Sequence, residues 1–423
     1  MTNERPFDLT KCVRPNILAL PPYTSMRDDY LDHTNLSLLD ANENSFGPSI
    51  PVQEVASTFR HDAVSIQSAL DPKRLQLHRY PDAQQIKLKQ LFCDLRNTTC
   101  EEKDAAVKPL APENVCLGVG SDESIDLVIR AFCAPGRDKI LICPPTYGMY
   151  EVSAQANDVT VVTANLDVDN GFALRPEAID EALSEDPLIK VVFICSPANP
   201  TGNLIPRAEI VRVLEHPTWN GIVVVDEAYI DFAPGGSLAR QVNKWPNLIV
   251  TQTLSKAFGL AGIRLGIAYS QPQISQLLNN LKGPYNMSAP TIALATAALQ
   301  PAGIALMEAN KRAMIEQRKR LLRELPKISG FGRFLGGYDA NFLLVQFLDK
   351  PGGQGAVPDN AITAAVAHTL AINSGVLVRY RGIEPGCVGS LRITVGTKEE
   401  VDNVLLQIQM ALEKVYSGRG QTA

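Results

Sequence analysis

G-I-V-V-V-D-E-A-Y, residues 221–229, is an apolar run that stops on a carboxylate. Ile222 to Val225 show no polar alternation, so the run reads as a short strand buried on both faces. The same texture recurs at N-V-C-L-G-V (114–119), D-K-I-L-I-C (138–143), V-T-V-V-T (159–163) and I-K-V-V-F-I-C (189–195). It returns at N-L-I-V-T-Q-T (247–253) and I-R-L-G-I-A-Y (263–269). Helical patterns separate several of these runs. The expectation is an α/β fold: a large domain built on a mostly parallel sheet covered by helices on both faces.

Outward from this core the texture changes. Ile86, Leu88, Leu91, Phe92 and Leu95 fall near one face of a helix over 83–96. Residues 97–113 are polar and read as a loop. Beyond residue 300 a long charged helix over 305–325 leads to strands near 341–347 and 390–395 and a last helix over 398–416. This describes a smaller α+β domain. The expected division is an N-terminal arm (1–38), a large domain (78–304) and a small domain made of 39–77 with 305–423.

Bulk properties exclude several functions. A chain of 423 residues with net charge -5 and a pI near 5.7 offers no basic surface for nucleic acid. The start M-T-N-E-R-P-F-D-L-T has no apolar signal segment, and no stretch is long and apolar enough to span a bilayer. A soluble, intracellular and cytoplasmic protein is expected. Its eight cysteines (Cys12, Cys93, Cys100, Cys116, Cys133, Cys143, Cys195, Cys387) form no C-x-x-C pair and read as reduced thiols. The five histidines lack metal-ligand spacing, so no metal site is expected.

Ligands of such sheets bind beyond the carboxyl ends of the strands. Asn199, Asp226 and the pair Ser255–Lys256 all lie just after a strand-like run. Lys256 sits in T-L-S-K-A-F-G-L-A-G-I-R (253–264), thirty positions after Asp226 and eight before Arg264. An amine, a strand-end carboxylate and a guanidinium are what pyridoxal 5′-phosphate requires. The aldehyde takes the amine, the pyridine nitrogen takes the carboxylate, and the phosphate takes the cation. A carboxylate beside the ring nitrogen shifts its pKa by roughly 1–3 units and keeps the ring protonated.

G-V-G-S-D-E-S (118–124) opens a helix after a strand, so Ser121, Asp122 and Glu123 offer backbone N–H groups to an anion. Gly118 and Gly120 do not make a dinucleotide fingerprint, because Glu123 stands where its third glycine belongs. Asn199 and Tyr229 are candidate donors to the cofactor's phenolic oxygen, and Tyr147 is a candidate to stack on its ring. Each has an ordinary structural reading by itself. Asp226 can cap a turn, Asn199 sits in a Pro/Gly turn, Ser121 can cap a helix and Tyr147 can be a core aromatic.

N-P-T-G (199–202), D-E-A-Y (226–229) and S-K-x-x-x-L-A-G-x-R (255–264) stand together in this order. The chain therefore resembles the fold-type I PLP-dependent aminotransferases. L-D-A-N-E-N (39–44), H-R-Y-P-D (78–82), C-P-P-T-Y-G-M-Y (143–150) and L-R-I-T-V-G-T (391–397) are similar to the histidinol-phosphate aminotransferase family. The resemblance implies that Lys256 binds the cofactor and then moves the proton between the substrate Cα and the cofactor C4′. It implies that Asp226 pairs with the ring nitrogen and that Asn199 and Tyr229 contact the phenolic oxygen. Ser121, Asp122, Ser255 and Arg264 would hold the phosphate, and Tyr80 would reach it from the partner subunit of a homodimer. Tyr23, Asn44, Arg379 and Arg392 would shape a site for histidinol phosphate and for glutamate or 2-oxoglutarate. Arg381 is a rival for the place of Arg379. Two alternatives keep the fold and change the substrate: an aromatic amino acid aminotransferase and a threonine-phosphate decarboxylase. A PLP-binding regulator without turnover is a third, and the short acidic arm lacks the helix-turn-helix it would need.

Overall fold

The computed structural model describes residues 9–21, 27, 30, 36–51, 65–99 and 106–419. Twelve strands occur among them: β1 (Ser37–Leu39), β2 (Val115–Val119), β3 (Lys139–Ile142), β4 (Thr160–Thr163), β5 (Ile189–Cys195), β6 (Ile222–Asp226), β7 (Leu248–Thr253), β8 (Leu265–Tyr269), β9 (Phe331–Leu335), β10 (Phe342–Phe347), β11 (Val376–Tyr380) and β12 (Ser390–Thr394). They form two sheets, seven strands ordered β2-β8-β7-β6-β5-β3-β4 and five ordered β1-β11-β12-β10-β9. In the larger sheet only β8 runs antiparallel to its neighbours, β2 and β7. The expectation of a mostly parallel sheet is met, and each of the seven apolar runs is a strand.

Burial on both faces follows from the absence of alternation. Val191 and Phe193 of β5 and Val224 of β6 pack with Ile125, Val128 and Ile129 of the helix Gly120–Phe132 on one face. Val192, Ile194, Val223 and Val225 join the other face, with Ile179 and Leu183 of the helix Pro176–Glu185. Each fully buried side chain of this kind contributes about 1.5–3 kcal/mol. That second apolar cluster continues without a break into Phe342, Leu344, Leu391 and Ile393 of the smaller sheet.

The expected helix over 83–96 is Ile86–Thr98, and Asp82 accepts from the Gln84 and Gln85 N–H groups just before it. The expected 305–325 helix is Pro301–Glu324, and the last helix is Lys398–Arg419. Among the elements not foreseen are β9, β11 and the helix Asn360–Ser374. That helix is capped by the Asp359 carboxylate at its start and by Gly375, with φ +65°, at its end.

Residues 39–77, expected with the small domain, pack against both parts of the chain. β1 does belong to the smaller sheet, parallel to β11, but it starts at Ser37. The helices Ile66–Ala69 and Pro72–Leu75 pack instead on Ala289–Ala298, within the stretch expected to be the large domain. Residues 14–16 of the arm lie against the helix Met149–Ala156, where the Asn16 amide donates to the Gln155 carbonyl at 2.7 Å. No single helix among the described residues is long and apolar enough to cross a membrane.

Candidate active site

Three strands end at one cavity. Cys195 ends β5, Asp226 ends β6 and Thr253 ends β7, and all three line it. The loops after those strands add Asn199, Tyr229, Ser255 and Lys256. The start of the helix Gly120–Phe132 adds Ser121 and Asp122, and Tyr147 and Arg264 complete the wall.

Asp226 is 2% exposed, and burial raises its pKa. Two donors oppose that rise. The Tyr150 hydroxyl donates to Oδ2 at 2.7 Å and the Ala228 N–H to Oδ1 at 3.2 Å. Lys256 donates from Nζ to the Ala41 carbonyl at 3.0 Å. Burial, and next the positive charge of Arg392, lower its pKa from 10.5 to about 8, against the pull of Glu43 and Asp122. Arg264 also contributes, but Arg392 is the stronger cation at the amine.

Arg264 adopts φ +53° and places Nη2 at 3.2 Å from Asp122 Oδ2. Asp122 Oδ1 accepts from the Tyr147 hydroxyl at 2.9 Å. Gly120, beside Arg264, has φ +73°, which glycine adopts without strain, and a Cβ there would crowd Arg264 Nη2 at 2.6 Å. At Gly266 of β8 a Cβ would meet the Gly120 carbonyl at 2.3 Å. Helix start, strand and guanidinium thus close on one anion-sized space.

Arg392 is buried, and its Nη1 donates to Asn199 Oδ1 at 2.7 Å. Its Nη2 donates to the Asp40 carbonyl at 2.5 Å. With Oδ1 taken, the Asn199 NH2 is the end left for the cavity. Burial, and then the charge of Arg381, lower the Arg392 pKa to about 9. Among the described residues no group of His, Cys, Asp or Glu could hold a metal ion.

The family model for aminotransferase class I and II matches residues 34–408. The chain belongs to this aminotransferase family. A histidinol-phosphate aminotransferase of Schizosaccharomyces pombe is 49% identical over 97% of this chain and 99% of its own length. One from Saccharomyces cerevisiae is 46% identical over 97% and 99%. The fold is similar to a crystal structure of histidinol-phosphate aminotransferase from Sinorhizobium meliloti in complex with pyridoxal-5′-phosphate. That match has a TM-score of 0.78 and 22% identity, and covers 96% of this chain and 98% of that one.

The aminotransferase brings nine of the residues singled out in the sequence to the cavity wall: Ser121, Asp122, Tyr147, Asn199, Asp226, Tyr229, Ser255, Lys256 and Arg264. Glu123 is not among the lining residues. Its carboxylate turns back to the Val119 N–H and accepts from Asn286 at 2.9 Å, so it caps the helix start. Asn44 faces structure as well, donating to the Ala257 carbonyl at 3.0 Å and accepting from the Phe46 N–H. Arg379 stands opposite Arg392 in the β11–β12 register. Arg381 is held by Glu384 at 2.5 Å, which leaves Arg379 as the less committed cation. Tyr80 is 81% exposed and stacks on Tyr285 with centroids 4.6 Å apart. Tyr23 lies outside the described residues.

Sequence reasoning missed other members of the aminotransferase site. Tyr150 supports Asp226 from behind. Thr253 lines the wall and shares a hydrogen bond with Ser255 Oγ at 2.9 Å. Glu43 lines it too, and pairs with Arg27 of the arm, which also reaches Asp40 at 3.1 Å. Asn42 donates to the Tyr229 oxygen at 2.9 Å. The short strand β1, ending at Leu39 three residues before Asn42, was the only local signal for this last group.

Proposed function

We propose that this aminotransferase uses pyridoxal 5′-phosphate to exchange the amino group between L-histidinol phosphate and 2-oxoglutarate, giving imidazole acetol phosphate and L-glutamate. The observation that carries the reading is one cavity holding the lowered-pKa amine of Lys256, the buried carboxylate of Asp226 and the Arg264 guanidinium. The donor set fits the cofactor. Asp226 suits the ring nitrogen, and the Tyr229 hydroxyl and Asn199 amide suit the phenolic oxygen. Ser121, Asp122, Ser255 and Arg264 suit the phosphate, in the space that Gly120 keeps open. When bound, pyridoxal phosphate supplies an aldehyde for an amine and an electron sink for charge at the substrate Cα.

Lys256 does the proton work. Its amine is neutral in part near pH 8, so it can take a proton at Cα and return it at C4′, on the far side of the nitrogen. Arg392 and Arg379 give the guanidinium forks that both a phosphate and a carboxylate can use. Names of two relatives sharing nearly half their residues with this chain support the choice of histidinol phosphate. A single-turnover experiment tests it. Histidinol phosphate is expected to convert the bound cofactor to its amine form, glutamate to do the same, and 2-oxoglutarate to reverse both. Conversion by aromatic amino acids alone would refute the assignment.

The amine reacts only when unprotonated, so the sign of the pH effect is set. Reconstitution of cofactor-free enzyme with pyridoxal phosphate is expected to speed up as pH rises through about 8 and to level off above it. Stopped-flow absorbance checks this.

The same reading makes the enzyme a cytoplasmic homodimer in which Tyr80 serves the partner's site. Free thiols at the described cysteines and the exposed apolar side chains Leu77, Tyr80 and Ile86 support it. Mixing Tyr80→Ala with Lys256→Ala protomers is expected to restore roughly a quarter of parental activity, since random pairing rebuilds one intact site in half the dimers. No restoration would place Tyr80 in its own chain's site or in none. We also propose that residues 305–423 and β1 form one body, with residues 65–304 as the other.

A further inference from the structure

Asn42 is buried and has φ +53°, a left-handed conformation that Asn tolerates better than most residues. Every polar group it owns is engaged. Its N–H donates to Thr394 Oγ1 at 3.0 Å, and its carbonyl accepts from Asn341 Nδ2 at 3.0 Å. Thr394 Oγ1 in turn donates to Asn42 Oδ1 at 3.3 Å. In this arrangement Oδ1 faces Thr394 and Nδ2 faces Tyr229. Nδ2 donates to the Tyr229 oxygen at 2.9 Å. Tyr229 is an acceptor toward Asn42, so its own proton points elsewhere. No described residue accepts that proton, and Tyr229 lines the cavity.

We propose that Asn42 is a positioning residue that fixes Tyr229 as a hydrogen-bond donor toward the phenolic oxygen of the cofactor. This rests on the cofactor reading above. Burial lifts the phenol of Tyr229 to about 12, so it keeps its proton at neutral pH, with Arg392, Asp226, Cys195 and Lys256 as the ionisable groups around it. A donor there stabilises the oxygen as an anion and makes the nitrogen supplied by Lys256 less basic.

The test is a pH titration of the visible absorption of the resting holoenzyme. Asn42→Asp keeps the size of the side chain but offers an acceptor, which draws the Tyr229 proton away from the cavity. Its apparent pKa is expected to rise by about one unit over the parent. In a Tyr229→Phe background the same substitution is expected to move the pKa little. An equal rise in both backgrounds would assign the effect to the new carboxylate's charge and overturn the proposal, as would no rise in either. If Asn42→Asp does not fold, Asn42→Ala takes its place. A smaller rise that vanishes without the Tyr229 hydroxyl supports the proposal, and an unmoved pKa overturns it. Parent protein that shows no visible band with pyridoxal phosphate refutes the cofactor reading itself. A normal parental band with unmoved variants refutes only the role of Asn42.

Discussion

Lys256→Ala is expected to fold as the parent does, to retain cofactor without a covalent link, and to lose turnover by a factor on the order of 10⁴. The size follows from two roles lost together. Among the described residues the amine is the only lysine nitrogen on the cavity wall, so no neighbour there replaces it as attachment point or as proton carrier. The fold is not at risk, because Lys256 makes one hydrogen bond, to the Ala41 carbonyl, and its charged form is disfavoured by burial. Borohydride reduction followed by peptide mapping reads the attachment. Single-turnover transfer from histidinol phosphate reads the rate. Cofactor still linked to another lysine after reduction would dismiss the central assignment.

Asp226→Asn is expected to be the next most damaging change, slowing turnover by about 10²-fold. A carboxylate against the ring nitrogen shifts its pKa by roughly 1–3 units, or about 1.4–4 kcal/mol, and an amide gives up most of that. The substitution is nearly isosteric, and the amide can serve both neighbours, its oxygen accepting from the Ala228 N–H and its NH2 donating to the Tyr150 oxygen, so the loss falls on chemistry. The expected signature is a low kcat with a KM close to the parent's. Asp226→Asn turnover within a factor of about two of the parent would remove the carboxylate from the mechanism.

The seven-stranded sheet was legible because its central strands, β5 and β6 above all, are short continuous apolar runs, as burial on both faces requires. The cavity wall was legible because N-P-T-G, D-E-A-Y and S-K-x-x-x-L-A-G-x-R each follow a strand end, where such sheets collect ligands. What stayed hidden lies in contacts that span the chain. Asn42 meets Tyr229 across 187 positions and Tyr150 meets Asp226 across 76, and no local spacing announces either pair. Glu123 and Asn44 turn their side chains to the backbone and not to the cavity wall. Both are polar residues inside telling motifs, yet the backbone around them needed partners, and their side chains supply them. The helix Asn360–Ser374 escaped although Asp359 and Gly375 bracket it with ordinary stop signals. Its near-uniform Ala-rich stretch shows little amphipathic contrast.

Arg392 carries one more consequence. Its Nε has no hydrogen-bond partner among the described residues, and its charge has already been stripped of water by folding. An anion that reaches it meets a dehydrated cation and has only its own hydration shell to shed. The dehydration of the protein side, normally part of the cost of recognition, was met when the chain folded. Such a site gains little from a neutral analogue, however well shaped, because the analogue leaves the isolated charge uncompensated. Under the substrate role proposed for Arg392, discrimination by charge is written into the folded state before any substrate arrives.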